Sequence, residues 1–533
     1  MAVATTFLTG PDRPHGRGFA ATLDPRRSSA AAALATLVVA AAATAVPLVA
    51  QLVSPLVGLP LAMVIAIGLA LRLPQLVPAV VLFATLFQNL IVSLLSPAIE
   101  DADAFNFIRG YAFLTTVMVW LVLVGGFLLD PRRHTPAVRR HVGRGIVLLS
   151  IVGVFAAAGL VRNGAAAIIY TRNIVTPILL LHIMLLVSSR WRAGIGPTIV
   201  LYAGVLFACG WFEMIWRDGW LAATNGRAYW ALNTAGLFGT GYWEQIMAQT
   251  GFVYRELEDF FRIDLFNTPL FSGVSVFRLH GPNIHAVSFG YALAFMALYL
   301  LAAGRPLFAA AAMPLLVLAS AKGAFVVVVF VVVAWAATRL LGPRPALGAL
   351  LVLIVGYAAT MFVSGLLAGD YHIIGLLGGL KGFASNPIGH TIGSGGNLTG
   401  SVSIEEWNKA QELGSFEGAV ESAVGVLLFQ MGTAGVLVVA YYLAVAHEAW
   451  RRYARSGLLH QGLAAFGTLV VVVNGLFQEE ALFSPLALGL MLAFAGLVLG
   501  SAERVESEAA RVRATATGDE HVGWRGEGRG DLP

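Results

Sequence analysis

The sequence predicts an all-α polytopic integral membrane protein of about fourteen transmembrane helices, N-in and C-in, with two large extracytoplasmic loops. Three observations predict it. The 533 residues are 58% hydrophobic and 12% charged, with mean hydropathy +0.78; a soluble chain carries roughly twice that charge fraction. The apolar residues fall in blocks of about 17–25, the length that crosses a bilayer core. When those blocks alternate across a membrane, net charge divides as +12 on the N-terminal side and −7 on the other. Short loops carry the bias, through Arg132, Arg133, Arg139, Arg140 and Arg144 in one and Arg451, Arg452 and Arg455 in another. Positive loops face the cytoplasm.

The expected spans are 29–53, 56–72, 76–97, 108–129, 145–161, 171–189, 197–215, 285–303, 306–320, 324–341, 345–368, 420–446, 459–477 and 483–500. Together, 29–500 form one transmembrane domain. Residues 1–28 hold Arg13, Arg17, Arg26 and Arg27 among Gly, Pro and Ser, and read as a flexible cytoplasmic tail. The first apolar block has no convincing cleavage site and reads as a retained anchor. Residues 501–533 are Glu/Arg/Gly-rich without periodicity and read as a disordered cytoplasmic tail. Cys209 is the single cysteine, so no disulfide forms within the chain. The pI near 9.4 reflects cytoplasmic loops rather than a nucleic-acid partner.

Two loops, 216–284 and 369–419, are too long for connectors and too aromatic for disorder. The first carries Trp216, Trp220, Tyr229, Trp230, Tyr242, Trp243 and Tyr254 among acids, amides and arginines. Flat rings stack on the C–H face of a pyranose, which makes Tyr229, Trp230, Tyr242 and Trp243 candidate glycan contacts. An interfacial aromatic belt is the alternative, and Trp216 and Trp220, nearest the membrane, suit it. The loop ends in Phe277-Arg278-Leu279-His280-Gly281-Pro282-Asn283, where Asn283 suits a helix cap. Arg278 then sits at the membrane surface, within reach of a lipid-linked phosphate.

Lys322 interrupts apolar sequence at Ser320-Ala321-Lys322-Gly323, at a cost of roughly 2.5–3.5 kcal/mol were it central in the bilayer. An anionic partner explains it; so does solvation at a corner. Arg162 and Arg172 oppose the positive-inside bias on a short outer segment, and arginine forks match phosphate oxygens. The second loop holds Pro387-Ile388-Gly389-His390…Gly393…Gly396-Asn397, glycine-dense enough for close ligand approach. Asn397 is a further candidate glycan contact. Glu421 opens the next helix, where the dipole favours its ionised form. Glu421 and His390 are the candidate general bases. No His/Cys/Asp/Glu cluster has metal spacing, no nucleophile elbow is present, and no cofactor is expected.

These motifs resemble the bacterial O-antigen ligase/polymerase superfamily, the Wzy-like polymerases and the ligases that move glycans from undecaprenyl diphosphate. In that superfamily an Arg segment with a Pro-Asn turn precedes a helix, as in Arg278…Pro282-Asn283 here. A Ser-Arg-Gly-type corner follows; this chain has Lys322 for the arginine. A loop with spaced glycines comes next, matched by Pro387 to Gly396. The ligases then carry His-Asn/Ser, nine residues, and Gly-x-x-Gly; here the spacing reads Glu421-Ser422 to Gly432-Thr433-Ala434-Gly435. The resemblance spans about residues 145–500. Glutamate in place of the ligase histidine favours the polymerase branch.

The resemblance implies a multi-pass protein of the bacterial inner (cytoplasmic) membrane. It implies an inverting, metal-independent glycosyl transfer that polymerises undecaprenyl-diphosphate-linked oligosaccharide repeat units for exopolysaccharide, capsule or O-antigen. Arg278, Lys322, Arg162 and Arg172 would hold the diphosphate. A chain-length regulator and membrane lipids are the implied partners. Ligase-type transfer to another acceptor is one alternative. A transporter or flippase of a polar or lipid-linked solute is the other, although it calls for ionisable groups at mid-membrane rather than at helix ends.

Overall fold

The computed structural model describes residues 30–234, 261–267, 271, 273–397, 409 and 418–523. Among these, eleven helices are long and apolar enough to cross a membrane, and three shorter apolar helices accompany them. The chain opens with α1 (Ala30–Val53), α2 (Pro55–Arg72) and α3 (Val77–Leu95). Ser54 accepts the Leu56 N–H at 3.2 Å and Pro55 takes the first helical position, so α2 starts on a standard cap. The block expected at 108–129 is α4 (Ala102–Arg109) and α5 (Tyr111–Leu129), broken at Gly110.

Next come α6 (Pro136–Asn163), α7 (Ala165–Arg190) and α8 (Gly196–Ile215). Thr135 caps α6 just before Pro136, so helix begins inside the segment expected to be a cytoplasmic loop. Only Gly164, at φ 53°, separates α6 from α7. The expected outer loop between Arg162 and Arg172 is therefore a one-residue turn, and Arg172 lies inside α7.

The first long loop holds α9 (Arg217–Ala223), α10 (Gly226–Thr234) and an antiparallel ribbon of β1 (Arg262–Asp264) and β2 (Ser275–Phe277). Ile263 pairs with Val276. This ribbon is the one departure from an all-α fold among the described residues. The chain continues through α11 (Ala286–Ala302), the short pair α12 (Pro306–Ala310) and α13 (Met313–Leu318), then α14 (Lys322–Leu341) and α15 (Pro343–Ala368). The second long loop contains α16 (Tyr371–Ser385). The block expected at 420–446 divides at Gly432, φ 54°, into α17 (Ala423–Met431) and α18 (Thr433–Ser456). Last come α19 (Leu459–Asn474), α20 (Glu479–Phe483) and α21 (Leu490–Gly523), entered through a π-helical turn at Pro485–Gly489.

Helix α21 does not stop at 500. It runs to Gly523, which corrects the expectation of a disordered tail from 501. Ion pairs hold its extension: Arg452 on α18 meets Glu503 and, at 3.0 Å, Glu506, while Arg192 reaches Glu508 at 3.0 Å. Arg452 and Glu503 are both buried, so each charge relies on the other.

Helices α7 and α21 form the bundle centre. The apolar window of α21 is 94% buried and that of α15 only 17%, which places α15 at the periphery. Gly496 and Gly500 of α21 permit the central contact: a Cβ at Gly496 would lie 2.5 Å from the Leu181 carbonyl oxygen. Small residues bring backbones together where lipid supplies no hydrophobic drive.

Hydrogen bonds also define the two ends. At one end Ser93 donates to Thr224 O (2.7 Å), Asn163 to Ile392 O (2.8 Å) and Arg278 to Ala319 O (3.0 Å). At the other, Thr135 bonds Glu503 and Tyr299 bonds Gly196 O (3.3 Å). The two long loops thus share an end with the Lys322 corner.

Candidate functional site

The Arg278 turn is anchored by a carboxylate the sequence did not single out. Glu213, near the end of α8 and 3% exposed, accepts the N–H groups of His280 (3.0 Å) and Gly281 (2.6 Å). Asn283 donates to Leu86 O at 2.6 Å and does not cap α11. His285 takes that place, accepting the Ser288 N–H. Asn283 is thus corrected from cap to tether: a buried amide bonding the backbone of α3 fixes the turn. The Arg278 Nε donates to Ala319 O, tying the guanidinium to the Lys322 corner. Ser320 in that corner has φ 51° and accepts the Phe266 N–H.

Carboxylates gather beside it. Glu479 accepts from the Tyr170 hydroxyl, the Asn397 N–H (3.0 Å) and the Glu421 N–H. Glu421 has φ 57° and accepts from the Asn397 side chain. Its carboxylate lies 3.7 Å from the His372 Nδ1, and its carbonyl oxygen 3.4 Å from the same nitrogen. Desolvation, then Glu480 and Glu479, push the Glu421 pKa up to about 8. Burial raises Glu479 to about 7, although Tyr170 and Asn397 favour its ionised form. This corrects the expectation that a helix start keeps Glu421 ionised: Ser422, not Glu421, caps α17, and desolvation with neighbouring carboxylates outweighs the dipole.

One residue joins the two halves. Glu480 lies within electrostatic range of both Arg278 and Glu421. Lys322 connects to the carboxylates by another route: it lines a cavity of about 40 Å³ with Tyr357, Asn474, Gln478 and His372, whose ring faces Glu421. That space admits water rather than a sugar. Gly323 is required there, since a Cβ would meet the Tyr291 hydroxyl and the Gln478 side-chain oxygen.

The glycine-rich loop packs on α17 and α7. Gln430 donates to Gly395 O at 2.6 Å, and a Cβ on Gly396 (φ 98°) would strike the Tyr170 ring. His390 lies apart from the carboxylates. Its ring stacks on Phe429 at 4.3 Å and its Nδ1 is 3.1 Å from Phe429 O.

Arg172 lies in the field of Arg109, a cation the sequence reading passed over. Arg109 donates to Asn233 (2.9 Å) and stands 5.8 Å from the Tyr229 ring. His285, exposed at the start of α11, lies in the field of Arg278, His280 and Arg109. Arg162 is exposed on the last turn of α6. Tyr229 is 2% exposed and packs edge-on against Phe105, so its face is not open to a sugar. Trp230 is half-buried against Phe261 and His280. Tyr242 and Trp243 lie outside the described residues.

No protein-family model matches the chain, and no curated protein matches it. Glu479, Glu480 and His372 were missed by sequence reasoning. Adjacent carboxylates at Gln478-Glu479-Glu480, between two apolar blocks, were the available signal.

Proposed function

We propose that this chain transfers glycan from a polyprenyl diphosphate carrier, extending lipid-linked oligosaccharide repeat units at the outer face of a bacterial inner membrane. The observation that carries the reading is Glu480 within range of both Arg278 and Glu421. A leaving diphosphate needs fixed cations, and an attacking hydroxyl needs a base within reach. Arg278, Arg172 and Arg109 supply positive charge on one side of the cluster. Glu421, held by Asn397 and flanked by His372, supplies a base whose raised pKa makes it a stronger proton acceptor.

In this reading Glu479 positions Glu421 and the glycine loop through its three accepted bonds, and Lys322 adds charge at the corner. Polymer length in a deletion strain complemented with variants tests it. Lys322→Arg is expected to retain most activity, because it keeps the charge, while Lys322→Ala is expected to lose it. Wild-type polymer from Lys322→Ala would remove Lys322 from the site. If Lys322→Ala, Arg278→Ala and Glu421→Gln all extend repeat units normally, the transporter reading takes over.

The orientation has its own test. In a Cys209→Ser background, Ile388→Cys is expected to react with a membrane-impermeant thiol reagent on intact cells, and Arg132→Cys is not. Both positions are exposed, Ile388 at 76%. The reverse labelling pattern would invert the topology and put the carboxylate cluster on the cytoplasmic side.

A further inference from the structure

The backbone of Glu421 is strained. Its φ of 57° lies in the left-handed region, which a residue with a Cβ enters at a cost and keeps only when its surroundings hold it there. Those surroundings include α16. A Cβ on Gly375 would overlap the Val420 carbonyl, and one on Gly379 the Gly425 carbonyl. The backbone of α16 is therefore pressed against the 420–425 segment, and His372, in the first turn of α16, is carried with it. Asp370 fixes that turn by accepting the His372 N–H at 2.8 Å.

The His372 Nδ1 bonds the Glu421 carbonyl oxygen at 3.4 Å and lies 3.7 Å from the Glu421 carboxylate. A carbonyl oxygen only accepts, so Nδ1 is the nitrogen that carries a proton. That N–H holds the strained backbone through the carbonyl and stands beside the carboxylate. Both side chains keep contact with solvent, His372 at 26% exposure and Glu421 at 29%. The acids Glu480, Glu479 and Asp370 also face this carboxylate, and the Asn397 side chain donates to it. Lys322 and Tyr357 line the small cavity together with His372. Crowded by acids, an ionised Glu421 depends on its donors.

Resting on the glycosyl-transfer reading, in which Glu421 is the base, we infer that His372 is a positioning residue: its Nδ1–H fixes Glu421 through the main-chain oxygen and favours the ionised carboxylate that accepts the proton of the attacking hydroxyl. At 3.7 Å the carboxylate contact is longer than a hydrogen bond, and contacts of this kind tighten when substrate is bound. Two other roles are open to a histidine here. A relay would take the proton from Glu421 and pass it on; a packing role would need only the bulk of the ring. Asparagine and leucine separate the three, because asparagine keeps an N–H near the Nδ1 position but cannot relay a proton, and leucine keeps bulk without a donor.

Solubilised membranes of the complemented deletion strain, carrying their own lipid-linked repeat units, give the rate of polymer formation from pH 6 to 9.5. In His372→Leu the limb that rises as Glu421 ionises is expected to move up by about one pH unit. That is about a tenfold loss at pH 7, shrinking to within about threefold at pH 9.5. His372→Asn is expected to recover most of the loss and to bring the limb back toward its wild-type position. If His372→Leu does not reach the membrane, His372→Gln, which withdraws the donor from the Nδ1 position, takes its place. A wild-type profile in His372→Leu, or a loss of equal size at every pH, would reduce His372 to packing. His372→Asn as slow as His372→Leu would make it a relay. Each of these overturns the proposal. Tm in detergent at pH 9 reads the pair without substrate: His372→Leu is expected to lower it more in the wild-type background than in Glu421→Gln. An equal drop in both overturns the pairing whatever the reaction is. The glycosyl-transfer reading fails separately, through normal polymer from Glu421→Gln itself.

Discussion

Glu421→Gln is expected to lower polymer formation by about 100-fold or more, the scale of a lost general base, while the protein still reaches the membrane. The substitution keeps shape and the Asn397 contact but cannot take a proton. It does not remove a helix cap, because Ser422 supplies that bond through its hydroxyl, 3.0 Å from the Gly425 N–H. A loss in Glu421→Gln is therefore not a capping effect. His390→Ala is the companion measurement. His390 stacks on Phe429 away from Glu421, so its loss is expected to disturb the glycine loop and leave more activity than Glu421→Gln. A dead His390→Ala beside an active Glu421→Gln would transfer the base to the glycine loop.

The same variant carries a pH signature. The Glu421 pKa in the folded protein is about 8 against an ordinary 4.5. Below about 4.5 the carboxyl is protonated in both folded and unfolded chains and adds no penalty. As pH rises toward 8 the unfolded chain ionises first, so stability falls through that window. Glu421→Gln removes this term. Its Tm, measured against wild type in detergent, is expected to gain more at pH 8.5 than at pH 5. An equal difference at both pH values would show that Glu421 does not titrate there. For activity the sign is opposite: the wild-type rate is expected to rise as Glu421 ionises toward pH 8.

Arg278→Ala is the second large effect, an expected loss of about 100- to 1,000-fold, comparable to removing a fixed donor from a developing oxyanion. Arg278 donates its Nε to Ala319 O and feels the Glu480 carboxylate through space. Arg278→Lys keeps the charge and loses the planar fork, so an intermediate rate is expected. Expression and Tm separate chemistry from folding, since the turn itself is held by Glu213 and Asn283, which the substitution leaves in place. Wild-type rates from Arg278→Ala would leave the site without its principal cation, and the glycosyl-transfer reading would fall with it.

Much of the architecture was legible from the chain alone, because a bilayer forces each spanning segment to satisfy its own backbone hydrogen bonds, a requirement met locally. Apolar block length marked the spans, whereas the cap-then-proline start at Thr135-Pro136 lies in a segment read as a loop because its first turns are rich in arginine. The Arg278 turn, the Lys322 corner and the glycine loop were also visible as interruptions of apolar sequence. What only the tertiary structure decided depends on contacts between distant segments. Glu421 meets Glu479 and Glu480 across α17 to α19, and Arg109 meets Arg172 across α5 and α6; no local periodicity encodes either. Which residue caps a helix also turned on packing: Ser422 rather than Glu421, and His285 rather than Asn283. The tail from 501 reads as polar and aperiodic, yet residues to Gly523 continue α21, with Arg452 and Arg192 on other elements pairing its acids. Composition determined that this chain is built to occupy a membrane. The state and role of its charges were decided by desolvation and by their neighbours in space, which composition does not contain.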